Sequence, residues 1–293
     1  MKTTKLLKSL SASAILLSST ISHFAAADAA VWKVSNGQNE LFIAGTVHIL
    51  PPAEFPLPTE FDKAYQQADS IVLEAKLPDP TDQQAQMAMI QKLAYPAGET
   101  LSQKVSESTY KELKQYLSGL GLNLDELNGF KPGFVLSMMT VMEAHKAGLA
   151  GEGVDAFYDK QAKKDNKEIN YLETAEFQLN MLANIGKDNE EKFILETLKE
   201  MSKFKPQLEQ LIAAWRAGDI NAIDSLILEQ AKSKDPQGYQ SMFTDRNRNW
   251  IPQISEMLND KDKELVLVGA GHLAGDDSVL KMLKAKGYSV TKI

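Results

Sequence analysis

Leu265-Val266-Leu267-Val268-Gly269-Ala270-Gly271-His272, near the end of the chain, has the same form as Leu41-Phe42-Ile43-Ala44-Gly45-Thr46-Val47-His48 near its beginning. Each is an unbroken apolar run that leads into Gly-x-x-His, the pattern of a strand covered on both faces and ending in an imidazole. In open α/β sheets, ligands bind outside the carboxyl ends of such strands. The chain has four histidines, and two of them are placed in this way. Strands from opposite ends of the sequence must share one sheet. The fold class expected is therefore α/β with α+β character: a central mixed sheet built from both ends of the chain, carrying a large helical insertion.

Working outward, Val31–Ser35 and residues 41–44 flank Asn36-Gly37-Gln38-Asn39 and predict a β-hairpin. Pro51, Pro52, Pro56 and Pro58 predict an extended loop. Thr59 is the expected N-cap of the next helix, with Asp62 as its acidic partner. Ser70-Ile71-Val72-Leu73-Glu74 is an apolar strand that ends in a carboxylate, and residues 167–172 form a second one, with Glu173 and Thr174 at the exit. Apolar spacing makes residues 81–165 and 188–258 mostly helical, with a loop expected at 234–239. A helix opened by Pro132 carries Met138, Met139 and Met142; such a stripe is core filler or an adaptable peptide-binding surface. His145 lies near the C-terminus of that helix, where a cation meets the helix dipole favourably, and is assigned a structural role. Asp155, in the first turn of a helix after Gly151-Glu152-Gly153, is expected to cap it.

Residues 1–27 have the form of an export signal: Lys2, Lys5 and Lys8, a short apolar run, then Ala25-Ala26-Ala27. The run is shorter than the roughly 20 residues a membrane span needs. The expectation is a protein exported across the inner membrane, periplasmic in a Gram-negative source, with no stable membrane insertion and one domain over 28–293. With no cysteine, disulfides, thiolate ligands and a cysteine nucleophile are excluded, so an ordinary apolar core must hold the fold. The 39 acidic residues exceed the 32 basic ones, for a net charge of −7, and this argues against nucleic acid as a partner.

His48, Glu74, Glu173 and His272 all follow apolar strands. Two imidazoles with one or two carboxylates suit a divalent first-row ion such as zinc, manganese, iron or cobalt, with positions left open for water. A glutamate outside the ligand set would serve as general base, which makes a metal-assisted hydrolase of peptide or ester bonds the expected chemistry. Arg246 and Arg248 would bind a substrate anion or pair with surface acids. The short zincin motif, two histidines one helical turn apart with a glutamate, is absent, so any such site must be assembled from distant segments.

Phe42-Ile43-Ala44-Gly45-Thr46-Val47-His48, Val72-Leu73-Glu74, Gly153-Val154-Asp155, Tyr171-Leu172-Glu173-Thr174 with Gln178, Arg246-Asn247 and Val268-Gly269-Ala270-Gly271-His272-Leu273-Ala274-Gly275 together resemble, in order, the signature of the TraB/PrgY/GumN family, which includes the animal Tiki proteins. The resemblance implies a fold related to the erythromycin esterase and haem-binding ChaN proteins, and a manganese- or cobalt-dependent peptidase acting on peptides or protein N-terminal segments. It places His48, Glu74 and His272 at the metal centre, with Glu74, Glu173 and Arg246 as catalytic members. Three other classes remain open: a non-catalytic periplasmic binder of metal or haem, a metal-free, esterase-like hydrolase, and a peptide-capturing antagonist with a degenerate site.

Overall fold

The structure is a computed structural model that describes residues 29–76 and 81–293; the expected leader at 1–27 lies outside them. Six strands, β1 (Val31–Ser35), β2 (Glu40–Thr46), β3 (Ser70–Ala75), β4 (Glu168–Glu173), β5 (Glu264–Gly269) and β6 (Ser289–Lys292), form one mixed sheet in the order β4-β3-β5-β2-β1-β6. β4, β3, β5 and β2 run parallel, whereas β1 is antiparallel to both β2 and β6. The two Gly-x-x-His strands are immediate neighbours, with Gly45 opposite Val268 and Thr46 opposite Gly269. Their near-continuous burial is that of parallel strands covered on both faces, as the apolar runs predict. The central sheet thus comes from both ends of the chain, with β3 and β4 delivered from within it.

Helices α1 (Thr59–Gln67), α2 (Gln83–Leu93), α3 (Glu107–Ser118), α4 (Leu124–Leu127), α5 (Pro132–Ala147), α6 (Val154–Asp165) and α7 (Ala175–Asn184) fill the chain from β2 to just beyond β4. Between β4 and β5 follow α8 (Glu190–Met201), α9 (Phe204–Arg216), α10 (Ile220–Ile223), α11 (Glu229–Lys234), α12 (Pro236–Tyr239) and α13 (Asp245–Met257), and α14 (Val279–Ala285) precedes β6. Two apolar clusters result. The larger holds the sheet together with Phe61, Tyr158, Trp215 and Trp250. The smaller joins α3, α4, α5 and α8 through Leu113, Leu117, Leu124, Val135, Met139 and Ile194. Among the described residues, no helix is long and apolar enough to cross a membrane.

Two local expectations need correction. Thr59 does not cap α1: Pro58 occupies the cap position, no side-chain cap bond forms, and the Thr59 hydroxyl turns to Glu60. Residues 234–239 are not a loop, because Pro236 opens the helical turn α12 and the Asp235 side chain accepts the Gly238 N–H. This run continues into α13 through a π-helical turn at Gln240–Thr244, and a second such turn occupies Asp224–Leu228. One extra residue in a helical turn leaves little trace in apolar spacing, but it re-aims the side chains that follow. Here the residue that follows closely is Arg246.

Candidate functional site

Because β2, β3, β4 and β5 are parallel, His48, Glu74, Glu173 and His272 all arrive at the same sheet edge. Gly269 marks their meeting point. A Cβ at this position would stand 3.3 Å from Glu74 Oε1, 3.6 Å from His272 Cδ2 and 3.9 Å from His48 Nε2, so a larger residue would fill the space these side chains share. The Gly269 N–H donates to Glu74 Oε1 at 2.7 Å.

Arg246 ties the carboxylates together. Its Nε donates to Glu173 Oε1 at 2.8 Å, and its Nη2 to Glu74 Oε2 at 2.5 Å and Glu173 Oε2 at 2.9 Å. Its Nη1 donates to the Met242 carbonyl at 3.2 Å, within the π-helical turn, and to His272 Nε2 at 3.0 Å. All five N–H groups therefore have acceptors. Gln178 Nε2 bridges Glu74 and Glu173 at 3.2 Å each, and Trp250 Nε1 donates to Glu173 Oε1 at 3.0 Å. The four donations to Glu173 occupy both of its oxygens. Glu74 Oε1 is left with one lone pair beyond its bond from Gly269.

The two imidazoles are set in the same way but in different surroundings. An arginine only donates, so the Arg246 contact makes His272 Nε2 an acceptor and leaves its proton on Nδ1, which donates to Asn247 Oδ1 at 2.6 Å. The ring is packed against Trp250, at 4.4 Å between centroids, and against Phe243, at 5.2 Å. Burial lowers its pKa from 6.5 to about 3, so the ring is neutral. His48 has Nδ1 3.2 Å from Asp155 Oδ1, and its side chain is 64% exposed where that of His272 is 5% exposed. The Asp155 contact outweighs desolvation and raises the His48 pKa to about 9. Burial works to raise the Glu74 pKa, yet the charges of Arg246 and His48 and the Gly269 N–H hold it well below the usual carboxylate range.

Gly153 makes the Asp155 contact possible: a Cβ there would lie 2.6 Å from the His48 carbonyl oxygen and 2.7 Å from Asp155 Oδ1. The Val154 N–H also donates to the Val47 carbonyl, so the start of α6 is pinned to the His48 loop. Asp155, expected to cap this helix and part of the Gly153-Val154-Asp155 motif, makes no side-chain cap bond, and Gly153 holds the cap position; it lies beside His48 instead. Asn247 was marked only through the Arg246-Asn247 motif, and Trp250 is visible only once α13 is laid across the sheet edge. Arg248 lies away from this network and is 62% exposed, paired loosely with Asp245. His145 is exposed on α5, away from the cluster.

The donor set of His48 Nε2, His272 Nε2 and Glu74 Oε1 fits a divalent ion in its chemistry. His272 presents Nε2 with its Nδ1 held by Asn247 Oδ1, the arrangement that orients metal-binding imidazoles, and His48 Nδ1 lies 3.2 Å from Asp155 Oδ1. The buried Thr46 hydroxyl, on the register partner of Gly269, has no hydrogen-bond partner among the described residues. The present spacing is that of a site held by Arg246, and no group of three or more acidic or histidine side chains among the described residues stands at metal-holding spacing.

A sequence model of the TraB/PrgY/gumN family matches residues 30–292. The uncharacterized protein YbaP of Escherichia coli is 26% identical over 250 residues, covering 85% of this chain and 89% of its own length. Metalloprotease TIKI2 of Xenopus tropicalis is 26% identical over 300 residues, covering 85% of this chain, and metalloprotease TIKI1 of the same organism is 24% identical over 314 residues, covering 89%. The chain spans 57% and 60% of the length of these two Tiki proteins. No solved structure matches the chain.

Proposed function

This chain belongs to the TraB/PrgY/gumN family, and from that premise we propose that it is a metal-dependent hydrolase that cleaves peptide bonds. The observation that carries the proposal is the convergence of His48, His272 and Glu74 on the space beside Gly269, with the His272 Nδ1 held by Asn247 and an acid, Asp155, beside His48. Similarity to proteins named metalloproteases supports the same reading.

His48 Nε2, His272 Nε2 and Glu74 Oε1 would hold the ion, with manganese or cobalt favoured by the Tiki resemblance. A divalent ion held there would supply Lewis acidity and a lowered water pKa, the chemistry that hydrolysis of a peptide bond to a carboxylate and an amine requires. Trp250 and Phe243 exclude solvent on the His272 side. Substrate and water enter on the exposed His48 side. Glu173, with both oxygens occupied, positions Arg246. His272 Nε2 has one lone pair, so cation binding there and the bond from Arg246 Nη1 exclude each other. Once His272 is engaged, that N–H is free to bind a substrate carbonyl oxygen as charge develops on it. Residues 1–27, read as an export signal, would bring the protein outside the cytoplasm, where peptide substrates are met.

The test is cleavage of a mixed peptide pool by the purified protein with manganese or cobalt added, followed by mass spectrometry. Cleavage that needs the ion, stops with chelator and is lost in His272→Ala is the expected result. Cleavage indifferent to chelator, or none with any divalent ion, overturns the proposal, and a Soret band on haem addition without cleavage would replace it with a haem-binding role.

A further inference from the structure

The methionine-rich face of α5 is not all core. Met139 is fully buried in the helical cluster, but Met138 and Met142 face a groove of about 510 Å³ between α2, α5 and α7, together with Met89 and Met181. That volume lies in the range of pockets that enclose drug-sized ligands. The groove reaches the candidate site directly. Gln178 lines it while hydrogen-bonding Glu74 and Glu173, and Lys76, two residues beyond Glu74 in the chain, stands at its rim.

We infer that this groove binds the bulky, apolar side chains of a peptide substrate next to the bond to be cleaved, and so sets the enzyme's preference; the inference rests on the hydrolase reading above. Three features identify a peptide as the occupant. Unbranched methionines adapt to side chains of different shape, which suits a sequence-tolerant apolar subsite. Gln178 must turn Nε2 to the two carboxylates, because they only accept, and this leaves Oε1 as an acceptor with no hydrogen bond from the described residues. A peptide N–H satisfies it, whereas a hydrocarbon chain does not. The Lys76 ammonium at the rim complements a peptide carboxylate. Val141, on the groove wall, is 44% exposed, an apolar surface that such a side chain would cover.

Binding is measured on the full chain treated with chelator, by fluorescence anisotropy of a labelled hexapeptide with two leucines between alanine pairs and of its serine analogue. At least tenfold tighter binding of the leucine peptide is expected. Val141→Glu should abolish that preference, and Met87→Glu, at an exposed site outside the groove lining, should preserve it. Equal binding of the two peptides, or an unchanged preference in Val141→Glu, overturns the inference; if a variant fails to fold by circular dichroism, the comparison of the two peptides on the parent protein decides. With ion added, Val141→Glu should raise KM for the leucine peptide about tenfold at unchanged kcat. A leucine preference in binding with no cleavage under any ion leaves the groove standing and sinks the hydrolase reading alone.

Discussion

The two ends of β5 each bury a glutamate, and they do so with opposite outcomes. At the carboxyl end, Glu74 lies in a net of donors from Gly269, Arg246 and Gln178, and its pKa falls well below the usual carboxylate range. At the amino end, Glu264 is 8% exposed, its Oε2 has no partner among the described residues, and burial, reinforced by Asp260, Asp262 and Asp69, raises its pKa to about 7. Burial pushes both carboxyls in the same direction. Partners decide which stays charged.

The strongest way to break this contrast is Arg246→Ala. It leaves Glu74 and Glu173 buried without their counter-charge, a loss of about 3–5 kcal/mol for a pair so enclosed, read as a lower denaturant midpoint. A midpoint equal to that of the parent would mean that the donors from Gly269, Gln178 and Trp250 suffice without Arg246.

The amino end responds in the reverse sense. An unfolded Glu264 releases its proton near 4.5 and the folded one near 7, so between these values the folded state binds more protons and stability falls as pH rises, staying lower above pH 7. Glu264→Gln should therefore stabilise the protein by about 2 kcal/mol at pH 8 and change little at pH 4. Chemical denaturation across this range checks it, and a gain of equal size at both pH values would refute the assigned cause.

Asn247→Ala should cost about 1–3 kcal/mol, since it strands the buried His272 Nδ1–H and removes the half-buried bond to the Asp277 carbonyl. Because Arg246 still donates to Nε2, the proton should stay on Nδ1, which nitrogen-15 spectra of the imidazole check. The smallest effect belongs to His145→Ala, on neither end of the sheet: an exposed substitution within about 0.5 kcal/mol. Thermal melts that show a larger loss would remove it from its place as a bystander.

How much of this was legible in the sequence followed the range of each signal. Strand character and the Gly-x-x-His ending are local, so His48 and His272 could be placed at a common edge, as could Glu74 and Glu173 by the same logic. The convergence itself depends on β2 and β5 being neighbours; the buried apolar runs imply interior strands of one sheet but not which strands adjoin. Asp155 was hidden because its position in a first helical turn already has a sufficient local explanation, while its partner His48 is remote in the chain. Asn247 and Trp250 lie on a helix whose phase is set by the π-helical turn before it, and no spacing rule registers that slip. Arg246 was found, but not its five bonds to the protein, which turn an expected anion receptor into a clamp between two carboxylates. The methionine stripe divided by position: Met139 went to the core, and its neighbours Met138 and Met142 went to the groove.

The strand order also governs when the protein can exist as a working object. β2 and β3 never touch each other; β5 is the seam between them, and it leaves the ribosome last but one among the strands. Until it arrives, the chain has two half-sheets with bare edges that invite wrong pairing, and the two imidazoles belong to no common pocket. Such long-range closure is slow. A chain that ends before Glu264 would therefore lack both the seam of the sheet and the second imidazole, and could not assemble the cluster beside Gly269 at all.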